Sequence, residues 1–178
     1  MGTDKAMIEI EGTSMICRIA DALACAGLEP IRIAVARPGD VEKYGSKLDS
    51  DLEVEWVLDG KTHAGPIEAL EEALIDPRLE RQSTLQLAPV DCPWVTGDLF
   101  SSLRESLAEG DALIMPHDGE RPHPLLALIR PELVRKMIAE DRRPLHVQFS
   151  QARHSVLLGD PDVLRNVNSP DDLEGNPS

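Results

Sequence analysis

Aromatic residues are scarce in this chain. Tyr44, Trp56, Trp94, Phe100 and Phe149 make up 3% of its 178 residues, so a core must rest on Leu, Ile, Val and Ala. Cysteine is scarce too. Cys17, Cys25 and Cys92 are odd in number and lack C-x-x-C spacing, which argues against a disulfide framework or zinc site and fits a reducing cytoplasm. No apolar run approaches the ~20 residues of a membrane span, and the N-terminal stretch has no signal-peptide pattern. Positive charge is short: 18 Lys and Arg face 32 Asp and Glu, for a formal net charge of −14. That balance argues against bulk binding to nucleic acid or an anionic membrane. There is no G-x-S-x-G elbow, which disfavours a Ser-His-Asp hydrolase, and no Walker A or G-x-G-x-x-G motif.

What remains is an ordinary soluble composition, 42% hydrophobic and 28% charged, long enough for one domain with a real core. The charge is uneven. Met115 to Arg165 holds eight Arg and Lys against seven Asp and Glu, while the other residues hold ten against twenty-five. This near-neutral, arginine-rich third would draw a phosphorylated ligand to one side, or simply present solvated helix faces.

The pattern predicts a short strand at Met7–Ile10, a turn at Glu11-Gly12 and a helix from Ser14 to Ala26 that Gly27 ends. Strands follow at 31–36 and 52–58 around a weak helix at 41–48. Pro66 opens a helix at 67–75. The apolar run from Leu85 to Asp91 reads as a strand that Pro93 stops. A helix at 98–109, a strand at 112–115, an apolar stretch at 125–129 and a helix from Pro131 to about Glu140 come next. Residues 144–158 are ambiguous, and the tail holds a short helix near Pro170. Alternating strands and helices imply a three-layer α/β domain with a mostly parallel sheet, Rossmann-like in type.

In such sheets ligands bind beyond the carboxyl ends of strands. Asp91 stands at one predicted end, where a hard oxygen ligand can hold Mg²⁺ against nucleotide phosphates. Its plainer roles are capping the helix near Thr96 or making an Asx-turn. Asp59 precedes the Gly65-Pro66 entry to a helix whose N-terminal amides can face an anion. Asn166 and Asn168 are two apart, so on an extended segment they point the same way. Their amides donate and accept, as a sugar, a pterin or metal-bound water requires, or as simple turn chemistry would. His117-Asp118-Gly119-Glu120-Arg121-Pro122-His123-Pro124 packs charge and proline into eight residues. Proline stiffness would pre-organise that loop and let Arg121 grip a phosphate in two-pronged fashion. Its histidines lack helical metal-ligand spacing, which favours a ligand loop over a zinc site.

Taken together, six stretches resemble the molybdenum cofactor guanylyltransferases, the molybdopterin-guanine dinucleotide biosynthesis protein A family of cytoplasmic nucleotidyltransferases. They are Met1-Gly2-Thr3-Asp4-Lys5-Ala6, Gly65-Pro66, Val90-Asp91-Cys92-Pro93, the His117–Pro124 loop, Asp141-Arg142-Arg143 and Asn166-Val167-Asn168-Ser169-Pro170. They fall in family order across nearly the whole chain. The resemblance implies transfer of GMP from GTP to molybdopterin with release of pyrophosphate. It implies Asp91 as the Mg²⁺ ligand and Lys5 as a catalytic partner, with Lys5, Asp59 and Asp91 contacting GTP. It implies Arg121, His123, Arg142, Arg143, Asn166 and Asn168 as pterin handlers. The partners it implies are GTP, molybdopterin and other molybdenum-cofactor biosynthesis or acceptor proteins. A related cytidylyltransferase, a sugar-phosphate nucleotidyltransferase and a non-catalytic pterin-binding paralogue are the alternative readings.

The resemblance places one domain at 1–174, with the first strand and its Gly-rich loop upstream of Asp4-Lys5, and a disordered tail at 175–178. The chain begins at the Met-Gly that would end that loop, so poor guanylyltransferase activity is expected unless the upstream segment is restored. Family members also often carry Asn at the end of the second strand, where Ala34-Val35-Ala36 stands here.

Overall fold

Asp4 opens the first element as its cap: its carboxylate accepts from Ala6 N–H at 3.1 Å, starting a 3₁₀ turn at Lys5–Met7. The computed structural model describes residues 4–58, 65–79, 82–140 and 143–173. The expected turn at Glu11-Gly12 closes a small hairpin of β1 (Glu9–Ile10) and β2 (Thr13–Ser14). Both turn residues have positive φ, 54° and 83°, as the twist of a two-residue hairpin turn demands. Helix α1 (Met15–Cys25) follows and buries Met15, Ile16, Ile19, Ala20 and Leu23, the predicted apolar face. Ser14 holds the cap position, but its hydroxyl donates to Cys17 Sγ and accepts from no helix N–H. Gly27, at φ 68°, turns the chain out of the helix where a side chain would be strained.

Strand β3 (Ile31–Val35), helix α2 (Pro38–Gly45) and strand β4 (Val54–Leu58) form a parallel unit with five paired positions. Helix α3 (Pro66–Leu74) precedes β5 (Leu85–Gln86), and α4 (Gly97–Ser106) leads to β6 (Leu113–His117). Then come a 3₁₀ turn at Pro124–Leu126, β7 (Leu128–Ile129), α5 (Pro131–Glu140), α6 (Leu145–Gln151) and β8 (His154–Leu158). The ambiguous region thus resolves into a short helix and an edge strand. The second sheet runs β5-β7-β6-β8: β6 and β8 are parallel, and β7 is antiparallel to both its neighbours. The α/β class holds, and the sheet is mixed.

Alternation along the strands builds the layers. Ile114 and Leu128 point to one face, into a core shared with Ile19 and Leu23 of α1 and Leu99, Phe100 and Leu103 of α4. Leu113, Met115 and Ile129 point to the other, against Leu70 of α3, Val134 and Ile138 of α5 and Phe149 of α6. Period-two side chains on a twice-covered sheet require this division. Ile31 of β3 joins the first core, so both sheets rest on it. Among the described residues, β3 and β5 each pair on one edge only.

Strand β5 is shorter than expected. Leu87 N–H still donates to Ala127 O at 2.9 Å, but Pro89 has no N–H to offer a ladder, and Asp91 lies in a turn rather than at a strand's last residue.

Candidate functional site

Val167 joins the predicted residues. Its N–H donates to Asp91 O at 2.8 Å, and its own carbonyl accepts from Lys5 Nζ at 3.0 Å. The Lys5 ammonium also donates to Asn168 Oδ1 at 3.3 Å. Three stretches separated by up to 163 positions in sequence therefore meet at one point. Val167 is itself 1% exposed, and that burial pins the junction.

Asp91 is half-buried, and its carboxylate meets only the weak Cys92 thiol, 3.8 Å away, among the contacts of the described residues. Thr96, not Asp91, caps α4, accepting from Leu99 N–H at 3.3 Å. The carboxylate is thus not spent on the plainer role. Burial first, then the Asp91 charge and hydrogen bond, pushes the Cys92 thiol up to about 12, while Arg121 opposes the shift. Cys92 therefore stays neutral and inert beside Asp91. The turn after Asp91 is tied down by Arg18 of α1, whose Nε donates to Pro93 O at 3.0 Å.

The far side of the junction is fastened by a capping pair. Asp172 Oδ2 accepts from Asn168 N–H and Ser169 N–H, each at 2.7 Å; the Asn168 amide first and the Ser169 amide next hold that carboxyl below its usual range. Sequence reasoning passed over Asp172, although Ser169-x-x-Asp172 is a capping-box spacing. The Asn side chains differ: Asn168 Oδ1 takes Lys5, whereas Asn166 Oδ1 is buried without a hydrogen-bond partner among the described residues. Arg165 stacks its guanidinium 4.0 Å from the centre of the Trp94 ring, bracing this segment against the one that carries Asp91.

The His117–Pro124 loop is a tight reversal, with His117 bridged to Pro122 and Gly119 at φ 97°. Asp118 organises it. Its Oδ1 accepts from Glu120 N–H and Arg121 N–H, both at 2.8 Å, and its Oδ2 lies 2.8 Å from His123 Nε2. The Arg121 amide first, then the His123 ring and Glu120 amide, outweighs burial and holds the Asp118 carboxyl well below the usual carboxylate range. His123 is buried, so the structure places it as a loop strut, whereas Arg121 is exposed. The Arg121 charge also acts on the Cys92 thiol, next in sequence to Asp91. Arg143 donates to Gln151 Oε1 of α6 at 2.8 Å. Asp59 and Arg142 lie outside the described residues, as does the tail from 174 to 178.

A divalent ion fits this donor set in one way. Asp91 offers a half-buried carboxylate with lone pairs to spare, and no group of three or more His, Cys, Asp and Glu converges among the described residues. A single protein carboxylate completed by phosphate oxygens and water is an Mg²⁺ arrangement, not a calcium or zinc cage. The pocket lined by Arg32, Ala34, Val57, Ala69 and Asp76 shares no residue with the junction. There Arg32 is held by Asp76 and Glu55.

Comparison with known proteins places the chain in a family. A molybdenum cofactor guanylyltransferase from Shewanella frigidimarina is 26% identical over 176 residues, covering 96% of this chain and 85% of that protein. The structure superposes on a nucleotidyl transferase from Methanothermobacter with a TM-score of 0.78 at 17% identity, covering 96% and 82% of the two chains. It superposes on the molybdopterin-guanine dinucleotide biosynthesis protein A of Archaeoglobus fulgidus with a TM-score of 0.67 at 20% identity, covering 97% and 88%. The model of the MobA-like NTP transferase domain matches residues 1–155. By that match over most of its length, the chain belongs to the MobA-like NTP transferase family.

Proposed function

We propose that the protein transfers GMP from GTP to molybdopterin, forming the guanine dinucleotide cofactor and releasing pyrophosphate. The observation that carries this reading is the meeting of Lys5, Asp91 and Asn166–Asn168 on the Val167 backbone. The terminal phosphate oxygen of the pterin forms a bond to the α-phosphorus of GTP. The bond from that phosphorus to the oxygen bridging to the β-phosphorus breaks, and pyrophosphate leaves. The attacking oxygen is already ionised at neutral pH, so the site must position it more than deprotonate it. Asp91 would hold Mg²⁺, which when bound neutralises phosphate charge. Lys5 moves its ammonium onto the nucleotide phosphates, and its present partners, a carbonyl and an amide oxygen, are neutral acceptors that it can leave for charged ones. Asp59 is assigned to the nucleotide as well. Asn166, with its unpartnered buried oxygen, and exposed Arg121 face the pterin, with Arg142 and Arg143 as further phosphate holders and His123 shaping the loop. Asn168 serves both sides through Lys5.

The experiment is GMP transfer from labelled GTP to molybdopterin with Mg²⁺, run beside CTP and UTP. GTP is expected to be preferred, and Asp91→Asn, nearly isosteric, is expected to abolish transfer with the melting temperature unchanged. Full turnover in Asp91→Asn removes the metal assignment, and a preference for CTP moves the reading to a cytidylyltransferase.

A further inference from the structure

The turn that carries Lys5 spans three residues, and so short a 3₁₀ segment has little hydrogen bonding of its own. Its rigidity has to come from outside. The carboxylate of Asp4 supplies it, capping the turn at Ala6 with one oxygen while the other receives Tyr44 OH at 2.9 Å and Lys43 Nζ at 2.5 Å, both from α2. We propose that Tyr44 is a positioning residue for Lys5, acting through Asp4. The hydroxyl fixes Asp4, Asp4 starts the turn, and the turn aims the Lys5 ammonium at Val167 O and Asn168 Oδ1, beside Asp91.

The two α2 partners differ in kind. The Tyr44 ring packs on the small cluster of Ala6, Ile16 and Cys17, so its hydroxyl is delivered from a fixed base. Lys43 is exposed; it adds charge, and its ammonium lies 5.6 Å from the Tyr44 ring centre. Burial first, then the Asp4 bond, pushes the Tyr44 hydroxyl up to about 12. Burial works to raise Asp4, but its Lys43 and Tyr44 bonds outweigh that and lower it. Donor and ionised acceptor therefore keep their roles at neutral pH. Removing the hydroxyl leaves the ring and its packing in place, so this interaction can be tested without emptying the core.

The inference rests on the nucleotide role of Lys5, and the test separates the two. In the protein, amine-reactive labelling of Lys5 is measured by mass spectrometry against exposed Lys136. Tyr44→Phe is expected to speed labelling at Lys5 several-fold while Lys136 is unchanged. Asp4→Asn is expected to do the same, and it decides the matter if Tyr44→Phe does not fold. Calorimetry with Mg·GTP then forms a double-mutant cycle. Tyr44→Phe is expected to weaken binding by roughly tenfold, the size of one hydrogen bond to a charged group, and to change nothing further in a Lys5→Ala background. Unchanged Lys5 labelling, or the same loss of affinity in both backgrounds, overturns the positioning role. If Lys5→Ala alone binds GTP like the unaltered protein, the nucleotide role of Lys5 fails, and the labelling result still decides whether Tyr44 positions it.

Discussion

Arg121 shows how much one side chain's setting can be separated from its reach. Its backbone N–H is locked on Asp118 Oδ1 at 2.8 Å, but its guanidinium, 3.5 Å from the same carboxylate, is 63% exposed. A fixed base with an exposed head suits capture of a phosphate. Arg121→Ala is expected to weaken molybdopterin binding by on the order of 1.5–3 kcal/mol, the range for a charge-assisted contact, and to leave GTP binding nearly unchanged. Calorimetry with each ligand separately checks it, and an equal loss for both would give Arg121 a shared structural role. The loop motif was legible in the sequence as a dense run of His, Arg and Pro, but the division of labour was not. His123 and Arg121 look equally available along the chain, and only packing buries one and exposes the other.

At the scale of the element, the His117–Pro124 reversal depends on a single carboxylate. The Asp118 pKa is depressed in the folded loop, so its ionised form contributes stability above the ordinary carboxylate value of about 3.9. That contribution is lost as pH falls through the lower folded value. The loop amides of Glu120 and Arg121 are therefore expected to stay protected from hydrogen exchange from neutral pH down to about 4, and to lose protection under more acid conditions. Asp118→Asn is expected to lose most of that protection at neutral pH, since a neutral amide is a weaker acceptor for two N–H groups. Loss of protection in the unaltered protein already at pH 5 to 6 would remove Asp118 as the controlling group. Helix ends followed local chemistry well: Pro66 opens α3 and Gly27 ends α1 as expected. Strand β5 did not. Its apolar run continues to Val90, but a strand lasts only as far as a neighbour can exchange hydrogen bonds with it, and Pro89 cannot take part.

For the whole molecule, the edges of the two sheets matter most. Among the described residues, β3 and β5 each offer unpaired backbone groups on one side, and the sheets that hold them share one core. Each buried group left without a partner costs ~1–3 kcal/mol, against a typical domain stability of ~5–15 kcal/mol.

The sequence by itself determined the α/β class, the positions of α1, α3, α4 and α5, and the identity of the residues that carry the family likeness. These depend on periodicity, on Pro and Gly punctuation and on short motifs, all of which act within a few positions of the chain. Tertiary structure alone decided that Lys5, Asp91 and Asn168 share one junction, that Asn166 and Asn168 part roles, and that the Tyr44 hydroxyl reaches Asp4. Those facts are hydrogen bonds between segments as many as 163 positions apart. No local pattern encodes such a bond; it exists only once two independent cores have closed on the sheets and brought the loop ends together.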